Sequence, residues 1–457
     1  MHIQSREQCN WIRDHFEGLQ FETIPNDYKI LNYDRLIWAN EFQNFLANKF
    51  NTMKRFGLEG CESFIPGLKT AFDTLVTAGV EKVVIGMPHR GRLNMLGNVV
   101  RKPLEQIFSE FLGKNPFEGK PQNDDDDWSN SGDVKYHLGT TFTKVYPDGK
   151  TLTSTVLANP SHLEAIDPVV IGRTKAEQHL MGDEHQNKVV PILIHGDAAF
   201  AGQGVVYETM QMSNLIDFSV GGTIHVVVNN QIGFTTTPNK SRSGMYCTDL
   251  AKAVDAPIFH VNAESLDDVA KVFQIAAEYR MKYKIDVVID LVGYRKAGHN
   301  ELDQPSFTQP LMYKKIAQMK PFADKYEAQL IQDGVLTKEQ AEGMKQKVKV
   351  ELEKSYEASK NHKFKLEEWQ SAEWEDIKNV EKYGNVKDTG VCIPTLKDLG
   401  QKLTTLPSDW TFHPTIKRIY ETRRKSIEEG KSIDWGTAES LAFASLVHEG
   451  FHVRLTG

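Results

Sequence analysis

Two stretches decide the fold: Val189-Val190-Pro191-Ile192-Leu193-Ile194-His195-Gly196-Asp197-Ala198 and Ile224-His225-Val226-Val227-Val228-Asn229-Asn230. Each opens on a short, β-branched run that is apolar on both faces, the pattern of a parallel strand buried between two layers. Between them, Gln203 to Leu215 has helix-compatible composition, so the unit reads strand, helix, strand. The carboxylate of Asp197 and the carboxamide of Asn230 then stand at the carboxyl ends of neighbouring parallel strands, where open α/β sheets bind ligands. One anionic and several neutral oxygen ligands suit Mg²⁺, which completes its octahedron with water and substrate phosphates. The same residues also suit a plainer reading, with Asp197 starting the next helix and the Asn pair making a turn.

Outward from this unit the α/β texture runs from about 80 to 300. Strands are expected at 83–87, 151–158, 189–195, 223–228, 256–262 and 286–293, with helices at 167–181, 203–215 and 266–282. That alternation predicts a doubly wound, mostly parallel sheet. Residues 1–60 alternate aromatic and charged residues at helical spacing and read as a helical lead-in to an α/β domain over 61–310. Gly119 to Gly132, with Pro121, Asp124 to Asp127 and Trp128, reads as a solvated surface insertion rather than a metal trap. Residues 311–430 read as a helical and irregular connection. In it Thr337 and Gln340 form a capping box, Ala341, Met344, Val348 and Leu352 form one apolar stripe, and 361–412 is irregular. A second α/β domain is expected to begin over 431–457, with a helix through Leu441 to Val447 and a strand at Phe451 to Leu455. One helix and one strand cannot close a core, so the sequence reads as a truncated piece.

Bulk properties narrow the function classes. The 457 residues are 40% hydrophobic and 25% charged, ordinary for a soluble globular protein. A net charge of −7 and a pI near 6.1 argue against nucleic-acid binding. No apolar run approaches the roughly 20 residues of a membrane span. Cys9, Cys61, Cys247 and Cys392 are scattered without a CxxC, which argues against a zinc site or disulfide framework.

Polar residues gather after the expected strands. Pro88-His89-Arg90-Gly91-Arg92 follows the first, Asn159-Pro160-Ser161-His162-Leu163-Glu164 the second, and Tyr294, Arg295, Gly298, His299, Asn300 and Glu301 the last. With Asp197 and Asn230 they place histidines, arginines, an acid and amides along one sheet edge.

The Gly-Asp pair followed about thirty residues later by Asn-Asn resembles the thiamine diphosphate signature, with Ala198 where the signature has a third glycine. Several longer motifs carry a closer resemblance: Arg55 to Gly60, Gly86 to Asn94, Gly132 to Gly139, Asn159 to Glu164, His195 to Gly204, Val228 to Thr236 and Gly298 to Glu301. By these the whole chain resembles the 2-oxoglutarate dehydrogenase E1 component. The resemblance implies Mg²⁺ on Asp197, Asn230 and the backbone carbonyl of Ile232. It implies a thiamine diphosphate site lined by Arg90, Ser161, Leu163 and Ala198, with Arg90 facing phosphate. It places His89 and His137 beside the cofactor's thiazolium, holding the dianionic substrate, with His162 as a further catalytic candidate. Thr141 stands where some relatives have serine, and is implied in substrate binding.

The activity implied is oxidative decarboxylation of 2-oxoglutarate in the tricarboxylic acid cycle, with succinyl transfer to the lipoyl domain of an E2 partner. The family also implies an E3 component in the same complex, a homodimer, and, from its eukaryotic members, the mitochondrial matrix. The chemistry suits histidines, which pair with carboxylates and carry protons near neutral pH. A 2-oxoadipate-specific E1 and a diphosphate-binding piece without turnover are the alternatives. The glutamate that activates the cofactor's aminopyrimidine belongs to the family's second domain, so this chain alone is expected to be inactive or nearly so.

Each role has a structural counterpart: His89 and His137 as satisfied core histidines, His162 as a prop for the turn around Ser161, and His299 and Glu301 as hydrogen-bonding residues. By the same reading Arg92 is a surface or helix-end cation, and Glu439 a capping or surface residue.

Overall fold

The computed structural model describes residues 2–21, 24–114, 137, 139–159, 161–362 and 388–455. The acidic stretch around Asp124 to Asp127 and residues 363–387 of the expected irregular connection lie outside the described residues. Contacts divide the chain into two units, Met1–Glu375 and Asp376–Gly457.

The first unit is built on a seven-stranded sheet in the order β2-β3-β1-β4-β5-β7-β6. The strands are β1 (Lys82–Gly86), β2 (Thr140–Val145), β3 (Thr151–Val156), β4 (Val189–Gly196), β5 (Ile224–Asn229), β6 (Ile258–Asn262) and β7 (Val287–Val292). Every pairing is parallel except β2 with β3. The doubly wound, mostly parallel sheet is therefore present, and the six expected strands match within one or two residues.

Two helical layers explain why the strands are apolar on both faces. Val190, Ile192 and Ile194 of β4 point into the large core that also holds Phe64, Leu68 and Phe273 from helices Phe64–Thr77 and Leu266–Tyr283. Their alternates Val189 and Leu193 pack with Ile166 and Val170 of helix Ile166–Leu180 on the opposite face. Likewise Val226 of β5 joins the large core while Val227 packs with Phe200, Val206 and Met210. Helix Asn26–Lys49 contributes Tyr33, Leu36, Phe42 and Leu46 to the large core, so this part of the lead-in packs into the α/β unit.

One strand was not anticipated. β2 is an edge strand of the sequence Thr-Thr-Phe-Thr-Lys-Val, exposed along most of its length. It lacks the apolar signal of its neighbours because its side chains are largely exposed to solvent. It is joined to β3 through a turn with Gly149 at φ 85°, and its Thr141 and Thr143 hydroxyls meet Thr155 and Thr153 across the ladder.

The helices of 310–359 follow the expected pattern, and Thr337 and Gln340 form the reciprocal capping box. In the second unit, helices Ile393–Thr404, Pro414–Glu429 and Trp435–His448 pack through Leu399, Ile427 and Leu441. The expected irregular stretch through 412 thus contains a helix over 393–404. Pro394 sits in its first turn, where a missing N–H costs nothing, so it starts the helix instead of breaking it. The expected strand at Phe451 to Leu455 is irregular, with Phe451 and Leu455 exposed and no ladder partner among the described residues. Asp434 caps helix Trp435–His448 through the Thr437 N–H at 2.6 Å, leaving Glu439 on the surface.

Candidate active site

The carboxyl ends of β1, β4, β5 and β7 open on one cavity of about 90 Å³. Of the eleven residues to which the family resemblance gives a cofactor, metal, substrate or catalytic role, seven line it: His89, Arg90, Leu163, Asp197, Ala198, Asn230 and Ile232. Four others do not. Ser161, His162 and Thr141 are exposed outside the lining, while His137 is half-buried near His89, close enough for its charge to act on that imidazole. The lining also includes His195, Phe234, Arg295 and His299.

Asp197 opens the short helix Asp197–Gly202 immediately after β4, and is 3% exposed. Burial pushes its carboxyl up to about 6, against the pull of the Arg242 guanidinium 3.7 Å away. Asn230 stands at the end of β5, the hydrogen-bonded neighbour of β4. Its Oδ1 accepts the N–H of Ile232 at 3.3 Å, and the Oδ1 of Asn229 accepts the N–H of Gln231 at 3.1 Å. The turn chemistry expected of the Asn pair is therefore present, and Asn230 makes its part of the turn while facing the cavity. Gln231 at φ 61° gives this turn its left-handed corner.

The departure at Ala198 has a local partner. A Cβ built on Gly233 would fall 2.4 Å from the Ala198 Cβ, so the two backbones approach with room for one methyl group. The alanine is accommodated because glycine faces it.

The basic side of the cavity is organised by Arg90, whose guanidinium donates to the carbonyls of Gly57 at 3.0 Å and His299 at 2.9 Å. Glu301 fastens the same loops, accepting the N–H groups of Arg55 at 3.0 Å and Gly57 at 2.8 Å. Phe56, carried between them, lies 4.4 Å from the His89 ring, which in turn meets the His299 ring edge-on at 5.3 Å. Burial first, and the Arg90 charge second, push His89 down to about 3 and His299 down to about 4. Both imidazoles are neutral at physiological pH, each offering one donor and one acceptor.

Beneath the cavity runs a buried polar chain. His195 Nδ1 lies 2.6 Å from Glu164 Oε2, and His195 Nε2 lies 3.0 Å from His225 Nδ1. Burial pushes the carboxyls of Glu164 and its neighbour Asp167 up to about 7. This chain ties the Ser161 to Glu164 loop to β4 beside Asp197. Its signal in the sequence was a histidine inside each of two otherwise apolar strands.

A sequence model of the dehydrogenase E1 component family matches residues 35–367. The chain is 50% identical over 458 residues to "2-oxoglutarate dehydrogenase, mitochondrial" of Dictyostelium discoideum, covering all of this chain and 44% of that protein. It is 49% identical to the protein of that name from Schizosaccharomyces pombe, over all of this chain and 45% of the relative. It is 46% identical to "2-oxoglutarate dehydrogenase-like, mitochondrial" of Rattus norvegicus, again over all of this chain and 45% of the relative. The chain thus spans less than half the length of these relatives.

Proposed function

The chain belongs to the dehydrogenase E1 component family, and on that premise we propose that it forms the metal- and diphosphate-binding part of a 2-oxoglutarate dehydrogenase E1. In this reading the whole protein uses thiamine diphosphate and Mg²⁺ to decarboxylate 2-oxoglutarate oxidatively in the tricarboxylic acid cycle. It passes the succinyl group to the lipoyl domain of an E2 partner, alongside E3, as a homodimer in the mitochondrial matrix.

The observation that carries this reading is the cavity shared by Asp197, Asn230, His89 and Arg90 at adjacent parallel strand ends. The donor set fits the metal: one buried carboxylate, one carboxamide and the main chain at Ile232, an oxygen set suited to a hard cation that keeps some water. Burial raises the Asp197 carboxyl only to about 6, so it is ionised at neutral pH and offers a cation a charged ligand. Arg90 and Arg295 line the same cavity and add positive potential, which favours an anionic group there.

When bound, thiamine diphosphate supplies the carbanion and electron-sink chemistry. The chain's own residues bind and orient. His89 and His299 donate hydrogen bonds from neutral rings, so they hold a substrate carboxylate without a competing fixed charge. A dianionic acid entering the cavity would oppose the Arg90 charge, which after burial is the second cause of the neutral His89 ring, and so raise the affinity of that imidazole for a proton at Nδ1 or Nε2. Phe56 lies 4.4 Å from the His89 ring and Phe234 5.2 Å from the His299 ring, giving each imidazole an apolar neighbour. Ser161, Leu163 and Ala198 complete the proposed cofactor lining, and His137, His162 and Thr141 the substrate side.

Turnover in the full-length protein carrying this chain tests the reading. Loaded with thiamine diphosphate and Mg²⁺, it should reduce an artificial electron acceptor with 2-oxoglutarate, and His89→Ala should lower kcat/KM by about 100-fold or more. No turnover of 2-oxoglutarate by the wild-type protein would overturn it.

A further inference from the structure

Arg92 reads in the sequence as a surface or helix-end cation, yet it is 0% exposed, and burial pushes its guanidinium down only to about 10, so it stays charged. A buried charge of this kind is costly unless hydrogen bonds compensate it. Among the described residues three backbone carbonyls receive it: Met87 just after β1 at 3.1 Å, Leu157 just after β3 at 2.7 Å, and His137 at 3.4 Å. Asn159 grips two of the same points. Its side-chain amide donates to the Met87 carbonyl at 2.9 Å, and its backbone N–H donates to the His137 carbonyl at 2.9 Å.

The Met87 carbonyl is two residues from His89. The His137 carbonyl belongs to the other histidine proposed to hold substrate. The ends of two strands and the His137 backbone are thus clasped by one guanidinium and one asparagine, and the spacing of the two histidines follows from that clasp.

We propose that Arg92 and Asn159 are positioning residues that set the separation of His89 and His137, and so the fit of a dicarboxylate between them. The inference rests on the functional reading above, in which those histidines bind the substrate. Neither residue touches the substrate; they act through the backbone of the residues that do. Arg92 suits the task because a planar fork can hold two carbonyls at fixed geometry, which a lysine ammonium cannot.

The test is a double-mutant cycle in the full-length protein loaded with thiamine diphosphate and Mg²⁺. Arg92→Lys is expected to raise KM for 2-oxoglutarate about tenfold, with kcat changed less than about threefold and the cofactor's Kd unchanged, the mark of lost substrate positioning. In a His137→Ala background the same substitution should shift KM less than about twofold, because coupled residues are not additive. An equal shift in both backgrounds, or a fall in Tm with KM unmoved, would overturn the proposal. If Arg92→Lys does not fold, Asn159→Ser, which deletes only the donor to Met87, enters the same cycle with the same outcomes. A second readout is independent of turnover. In histidine-labelled protein, Arg92→Lys should move the imidazole resonances of both His89 and His137 and leave that of His260 on β6 in place. Unmoved His89 and His137 signals would sink the clasp itself. Absent turnover with those signals moved would place the fault in the functional reading.

Discussion

The strand-end wall of the cavity and the loop residues around its rim are organised by different means. Asp197 and Asn230 stand at the ends of β4 and β5, held by a ladder that is buried on both faces. Their positions are fixed before any ligand arrives, and the buried chain through Glu164, His195 and His225 fastens the neighbouring loop to the same strand. Ser161, His162 and Thr141 are exposed, and Thr141 lies on an edge strand. In the wall, the sheet's own energetics hold the functional groups. At the rim the side chains themselves stay exposed, although the loop that carries Ser161 and His162 is anchored to β4 through Glu164. Preorganised donors cost nothing to order on binding, whereas rim groups must be ordered by the ligand itself.

This contrast orders the expected effects. The largest belongs to the wall: Asp197→Ala should weaken Mg²⁺-dependent binding of thiamine diphosphate by at least about 100-fold, measured by calorimetry, since it removes the only charged ligand proposed for the metal. Next comes the approach of two backbones. Gly233→Val should cost about tenfold in the same titration, because its side chain collides with Ala198, and Ala198→Gly in the same chain should recover part of the loss. Failure of that rescue would show that the close approach does not shape the site.

Below the wall, Glu164→Leu leaves the His195 ring nitrogen without its 2.6 Å partner. The expected loss is about 1–3 kcal/mol in urea unfolding, the penalty of an unsatisfied buried polar group. A pH series sharpens the same comparison. His89 and His299 are held below the ordinary histidine value, so the unfolded chain takes up protons that the folded chain refuses. Their contribution to stability is full above about 6.5 and is lost as pH falls from there toward 4 and 3. Histidine NMR should find both rings neutral throughout pH 5.5 to 8; titration of either ring in that window would contradict the account. The smallest effect belongs to the rim. Thr141→Ala should change thiamine diphosphate affinity less than about twofold, and a change above about tenfold would break the distinction between wall and rim.

The same contrast explains what was legible in the sequence. β4 and β5 announce themselves because both faces are buried, so every residue carries the signal, and the residues just beyond them were placed correctly at the sheet edge. β2 was invisible because an exposed edge strand of threonine and lysine looks like a loop, although Pro147-Asp148-Gly149 marks a turn. Pro394 suggested irregularity where it opens a helix, since proline disrupts a helix interior but not its first turn. The strand expected at Phe451 to Leu455 was drawn from local apolar pattern alone, and strands exist only with partners. In the site, the individual residues were legible and their hydrogen bonding was not. Arg92 reads as a surface cation because two of the carbonyls it meets among the described residues, those of His137 and Leu157, lie far along the chain. His299 and Arg295 follow β7 in the sequence, but only the fold brings them into one cavity with His89.

The central claim is that Asp197 and Asn230 act together on one metal–diphosphate group. A calorimetric cycle of Asp197→Ala, Asn230→Ala and the double variant, titrated with thiamine diphosphate in the presence of Mg²⁺, tests it most directly. The account predicts that each single change abolishes most of the binding and that the double variant is hardly worse than either. Wild-type binding that survives both substitutions, or losses that simply add, would contradict it.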